Sequence, residues 1–203
     1  MSRDPILAAL ALAAALAAAG AAAAEEPPGL KAPEAFAAIA DRNQRSAALF
    51  EEAAKVLLHP RCLNCHPAGD RPTQGDAMHP HEPPVERGPG DDGVAGLHCQ
   101  ACHHARNVDV VTVAIPGNPK WEVAPIETAW QGKSVGEVCT QLKDPARNGR
   151  RTLAEIVEHG AHDDLVAWGW DPGRGRPPAP GTQAQFGALL RAWADAGAAC
   201  PGG

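Results

Sequence analysis

The chain has 203 residues and a formal net charge of −6, from 24 acidic and 18 basic side chains. That mild acidity, with no basic run, excludes nucleic acid or another polyanion as the natural partner. Three Phe, no Tyr, 20 Pro and 21 Gly leave little material for a conventional core, so something other than side chains should help fill it.

In chain order, residues 1–24 read as a secretory leader. "MSRD" carries one Arg, an Ala- and Leu-rich run follows, and Ala22-Ala23-Ala24 offers an A-x-A cleavage site. The alternative is a retained anchor, since Ile6 to Ala24 is about the length a bilayer needs. That stretch has no interfacial aromatics and no basic stop-transfer flank, which favours cleavage. Residues 25–203 are then expected to be an exported single domain with no membrane span, since no other long apolar run exists. The charge is unchanged, because Arg3 and Asp4 leave together.

A helix is expected from Pro33 toward Leu58, with Phe36, Ile39, Phe50, Ala53 and Leu57 near one stripe and Pro60 ending it. From Pro67 to Leu97 neither helix nor strand periodicity appears, and Pro and Gly are dense. A loop that long is unusual in a compact domain unless it is disordered or bound to something, and a ligand held at both its ends would order it. Three more helices open on capping boxes: Ser134 with Glu137, Thr152 with Glu155, and Thr182 with Gln185. The first carries Val135, Val138 and Leu142 and stops before Pro145. The second carries Leu153, Ile156 and Val157 and should close at His159-Gly160 through a glycine cap. The third carries Phe186, Leu189, Leu190 and Trp193 and ends at Gly197.

Four of the six cysteines stand in two short strings, "CLNCH" at Cys62, Cys65 and His66, and "CQACH" at Cys99, Cys102 and His103. The C-x-x-C-H pattern is the attachment sequence for covalent haem. Two cysteines one turn apart can form thioethers to the two vinyl groups on one haem edge. The next histidine then reaches the iron from the proximal face. Two covalently bound haem c groups are therefore expected. A structural zinc held by two C-x-x-C pairs is an alternative, but it gives no reason for the histidines, and the gap between pairs exceeds ribbon spacing. A thioredoxin-like pair would need a βαβ pattern that is absent, and plain disulfides remain a third option in an exported chain. Cys139 and Cys200 lie outside the motifs and are expected to pair as a structural disulfide.

Each iron has a second axial position. Met78 is the only methionine after cleavage, so at most one haem can be His/Met. His81 and His159 are the leading distal candidates, followed by His59 and Met78. His79 and His81 sit in the long loop, which can wrap a ring edge and return. His159 ends a rigid helix. His59 is strained for its own haem, and either serves the other haem or simply caps the helix. His98 and His104 flank the second motif too closely to cross the ring. The five tryptophans are read as packing on haem faces or helices.

The fold expected is mainly α: a small helical c-type cytochrome with long haem-wrapping loops and little or no sheet. Its haem-binding part spans about 55–110 and its helical part about 134–203. The strings "HPRCLNCHPAGDRPTQGD", "CQACH", "QLKDPARNGRRTLAEIVEH", "LVAWGWDPG" and "RAWADAGAACP" resemble a family of small bacterial di-haem c-type cytochromes, often labelled cytochrome or isoquinoline 1-oxidoreductase subunits. The resemblance covers nearly all of residues 25–203. It implies a periplasmic, mostly helical electron carrier with redox partner proteins, and a molybdenum-dependent dehydrogenase as a candidate partner. No molybdopterin, flavin or iron–sulfur motif stands in this chain. The alternative activity is a di-haem peroxidase-like or nitrogen-oxide-reducing enzyme, which requires one open haem with polar distal groups.

Overall fold

The computed structural model describes residues 29–111 and 114–202. The leader expected over 1–24 lies outside the described residues. Among those residues no helix is long and apolar enough to cross a membrane.

The helices lie in two blocks on either side of a loop-rich middle. The first block is α1 (Arg42–Leu57) and the one-turn α2 (Pro60–Leu63). The second is α3 (Val135–Leu142), α4 (Leu153–His162), α5 (Asp164–Ala167) and α6 (Gln183–Asp195). Between them run six two-residue strands: β1 (Thr73–Gln74), β2 (His79–Pro80), β3 (Gly93–Val94), β4 (Leu97–His98), β5 (Val108–Asp109) and β6 (Ala114–Ile115). They pair as three separate antiparallel ribbons, β1 with β2, β3 with β4 and β5 with β6. The chain is mainly α, as its periodicity implies.

All three expected capping boxes form. Glu137 accepts from the Ser134 N–H at 2.7 Å, Glu155 from the Thr152 N–H at 2.7 Å, and Gln185 from the Thr182 N–H at 3.0 Å. Each hydroxyl in turn accepts from the backbone N–H three residues on. Reciprocal satisfaction of free N–H groups starts each helix at its expected residue.

The helix expected from Pro33 starts later. Pro33–Phe36 is a separate 3₁₀ turn, and α1 begins only after Asp41. Asp41 is extended, and its carboxylate accepts from the Gln44 N–H at 2.8 Å. A cap of this kind competes with continuing the helix backwards, and here it wins. Phe36 still reaches the core from the isolated turn. The second correction concerns α4, which does not close at Gly160 but runs on to His162, where Asp163 caps it.

Gly160 has a different task. A Cβ there would lie 2.5 Å from Leu190 Cδ1 and 3.1 Å from Phe186 Cε1. Across the same contact, a Cβ on Gly187 would lie 2.5 Å from the Ala161 Cβ and 2.8 Å from its Cα. The two glycines let α4 and α6 approach backbone to backbone. On its other side α6 meets α1, where the Phe50 and Trp193 rings pack 4.8 Å apart. Ser46, fully buried, donates to the Trp193 carbonyl at 3.0 Å and accepts from the Ala199 N–H at 2.9 Å. Cys139 and Cys200 form a disulfide with Cα atoms 5.6 Å apart, tying α3 to the segment after α6.

The stretch 67–97, read from sequence as structureless, is held by specific bonds and contains β1 through β3. Asn64 accepts from the Thr73 hydroxyl at 2.8 Å and donates to the Gly75 carbonyl at 3.0 Å. The buried Arg87 guanidinium donates to the carbonyls of Gly69 and Ala124 and to the Asp91 carboxylate. Side chains take the place of a sheet in satisfying this backbone, which hydrophobic periodicity does not reveal.

Gly187→Ala should cost about 1–3 kcal/mol in urea unfolding, because the nearest atoms, the Ala161 Cβ and Cα, have no rotamer by which to swing away. Gly69→Ala, with open space around its Cα, should stay within about 0.5 kcal/mol of the parent.

Candidate functional site

The first motif is built on α2 and the turn that continues it. Cys62 lies in the helix, Cys65 donates its N–H to the Cys62 carbonyl, and His66 donates to the carbonyls of Cys62 and Leu63. One helical turn therefore carries both sulfurs and the imidazole. A later segment, 124–131, closes over it. Ala124 N–H bonds to the Cys65 carbonyl at 2.9 Å, and the N–H groups of Trp130 and Gln131 both bond to the His66 carbonyl. The His66 ring stacks on the Trp130 indole, centroids 3.5 Å apart and planes 3° from parallel. His66 Nδ1 lies 2.7 Å from the Thr128 carbonyl oxygen. A carbonyl can only accept, so the proton sits on Nδ1 and the lone pair on Nε2. Burial pushes the His66 pKa down to about 4, which keeps the ring neutral and fit to ligate a metal.

The second motif repeats the construction with other partners. Cys99–Ala101 form a 3₁₀ turn, and the N–H groups of Cys102 and His103 bond to the Cys99 carbonyl. His103 Nδ1 donates to the Pro116 carbonyl at 2.7 Å. Its ring stacks on Trp121, centroids 4.6 Å apart and planes 12° from parallel. Burial lowers the His103 pKa too, against the opposing pull of the Pro116 hydrogen bond. The two motifs thus share one plan: a turn, an imidazole bonded through Nδ1 to a distant carbonyl, and an indole against its face.

A cleft opens beside the first motif. Its interior volume is about 160 Å³. Cys62, Cys65 and His66 form one wall; His159, Leu165 and Trp168 contribute to the others. Two donors in its lining have no partner. Arg61, with 1% of its side chain exposed, pairs with Asp76 through Nη2 but leaves Nε unbonded. The Trp130 Nε1–H, buried in the same lining, is also unbonded. Unpaired buried donors are costly, so this cleft suits a ligand that brings acceptors, such as carboxylates.

These features fit haem: a thiol pair one turn apart, a neutral imidazole presenting Nε2, apolar walls from Leu57, Ile156 and Phe186, and free donors for two propionates. They suit a thiolate site poorly. Burial pushes the thiols of Cys62 and Cys65 up to about 12 and 11, opposite to a reactive C-x-x-C pair. Nor do the four motif cysteines converge. Among the described residues no three His, Cys, Asp or Glu side chains are spaced to share one metal ion.

The distal candidates separate clearly. His159, on α4, lines the cleft, and its Nδ1 lies 3.4 Å from an Asp163 carboxylate oxygen. Burial lowers its pKa, then Arg151 does so, against Asp163. His81 donates from Nδ1 to the Pro83 carbonyl at 2.9 Å, and its ring centroid is 5.9 Å from that of His103. His59 instead accepts the Arg61 N–H on Nδ1 at 3.2 Å, capping α2. Met78, at φ 50°, packs against the hydrophobic core.

The two motifs are joined by two of the tryptophans read as packing residues and by Asn107, which sequence reasoning did not single out. Trp168, in the cleft wall, meets Trp121 edge to face, centroids 5.0 Å apart. Asn107 accepts from Trp168 Nε1–H at 2.9 Å and from the Gly117 N–H at 3.0 Å, and donates to the Asp171 carbonyl at 2.9 Å. Thr128 and Pro116 act through backbone carbonyls, which leave no residue-type signal. The paired indoles stand at unequal distances from their histidines along the chain, so no repeat announces them.

No protein-family model, curated protein or solved structure matches this chain.

Asn107→Ala should leave the Trp168 and Gly117 N–H groups without acceptors. We expect a loss of about 1–3 kcal/mol in urea unfolding and a change in tryptophan emission of the native state. An unchanged midpoint would show that water replaces the amide at no cost.

Proposed function

We propose that the chain is a periplasmic di-haem c-type cytochrome that carries electrons between redox partner proteins. Cys62 and Cys65 would hold one haem with His66 on its iron, and Cys99 and Cys102 the other with His103. The observation that carries this reading is the repeated imidazole geometry. At both C-x-x-C-H strings Nδ1 donates to a backbone carbonyl at 2.7 Å while the other nitrogen stays free. Metal-bound histidines are held this way, because the second-nitrogen bond fixes tautomer and orientation and strengthens the donor.

Bound haem supplies a one-electron iron couple, which no side chain here provides. The residues do the rest. Each thiol would add its S–H across one vinyl group, sulfur to one carbon and hydrogen to the other, so that nothing leaves. Trp130 and Trp121 back the two imidazoles and restrict their rotation. Arg61 and the Trp130 indole N–H would meet propionate oxygens in the first cleft. Burial would set the first potential apart from the second, since Cys102 is exposed whereas Cys62 and Cys65 are half-buried. The net charge of −6 suits transient docking to a partner with a basic face, a periplasmic dehydrogenase being one candidate.

Intact mass and a visible spectrum of protein exported from a host with a c-type maturation system test this directly. The mass should exceed the polypeptide by two haems, with c-type α-bands on reduction. Cys62→Ala with Cys65→Ala, and Cys99→Ala with Cys102→Ala, should each remove one haem. Colourless protein, or zinc in place of iron, overturns the proposal. Electron delivery from a reduced basic donor should slow as ionic strength rises.

A further inference from the structure

We propose that both irons are closed by a second histidine, His159 at the His66 site and His81 at the His103 site. This rests on the two-haem reading above and deepens it, because it decides what the sites can do.

The second site is the more direct. Metal–imidazole bonds of about 2 Å put the centroids of two rings on opposite sides of one iron about 6 Å apart. The His81 and His103 centroids are 5.9 Å apart, with planes crossed at 61°. His81 is held there by the Pro83 carbonyl on Nδ1, and its own N–H bonds to the Pro72 carbonyl at 3.0 Å. At the first site His159 faces the cleft that Cys62, Cys65 and His66 line. It is carried by α4, whose position against α6 is set by the glycine contact at its neighbour Gly160. Asp163, which caps α4 and opens α5, stands 3.4 Å from its Nδ1.

The four imidazoles therefore share one orientation. Each turns Nδ1 toward an oxygen, and none bonds through Nε2 among the described residues. The competitors fail on tautomer, packing or position; His79 and His98 also turn Nδ1 toward an oxygen but stand at neither site. His59 accepts on Nδ1, so when neutral its proton is on Nε2 and no lone pair remains there for a metal. Met78 packs against the hydrophobic core and does not line the cleft. His79 bonds to its own neighbour Pro80, and His98 faces Asp92; both are exposed, and neither lines the cleft nor stands against a motif imidazole. With both positions filled, neither iron keeps a place for peroxide or a nitrogen oxide, so the site is an electron carrier and not a small-molecule catalyst.

The test is spectroscopic, on purified two-haem protein. The wild type should be entirely low-spin, should not bind CO when reduced, and should show no methionine-to-iron charge-transfer band. His81→Ala and His159→Ala should each retain two haems by mass and make about half of the haem CO-reactive; His79→Ala and His59→Ala should match the wild type. If an alanine variant does not fold, His81→Met and His159→Met keep six ligands and should each introduce the missing charge-transfer band on one haem. CO binding by the wild type, or a spectrum that follows Met78→Leu, overturns the ligand assignment while leaving the two-haem reading intact. Protein without haem overturns both.

Discussion

The hydrogen bond from an imidazole Nδ1–H to a backbone carbonyl is the constraint on which the arrangement turns. At His66 the acceptor is Thr128, at His103 it is Pro116, and both distances are 2.7 Å. In each case the bond settles the tautomer, and the stacked indole settles the ring plane. Once both are fixed, the free nitrogen can point in only one direction. Burial then makes the protonated ring unfavourable, most strongly at His66. The chain prepares its donors by excluding their other states.

The helices supply the rigidity that this requires. The close α4–α6 approach at Gly160 and Gly187 holds His159 and the cleft wall against the core. The buried Ser46, bridging α1 and the segment after Trp193, locks α6 from the other side. The loop-rich middle gains its order differently, from Asn64 and Arg87, whose polar groups satisfy backbone that no sheet covers. Among the described residues that line the cleft, Arg61 Nε and Trp130 Nε1 are left wanting acceptors.

How much of this could be read from the chain follows from how local each cause is. The C-x-x-C-H strings and the capping boxes are legible because their chemistry needs neighbouring residues at fixed offsets. The Cys139–Cys200 pairing was legible by elimination among six cysteines. Gly160 misled, since a glycine near a helix end reads as a cap, whereas tertiary packing claimed it. The start of α1 also misled, because the apolar stripe runs through Phe36 and Ile39 while Asp41 breaks the backbone between them and the helix. The carbonyls of Thr128 and Pro116 could not have been found, as any residue but for its conformation offers one. The meeting of His81 with His103 is likewise a product of the folded loop.

The edge-to-face contact of Trp121 and Trp168 has a consequence for how the molecule responds to perturbation. One indole backs the second motif and the other walls the first, with Asn107 clamping both segments. The segments that carry the two motifs are thereby joined through side chains. Substitutions on opposite sides of that pair should be non-additive, each altering the ground on which the other is measured.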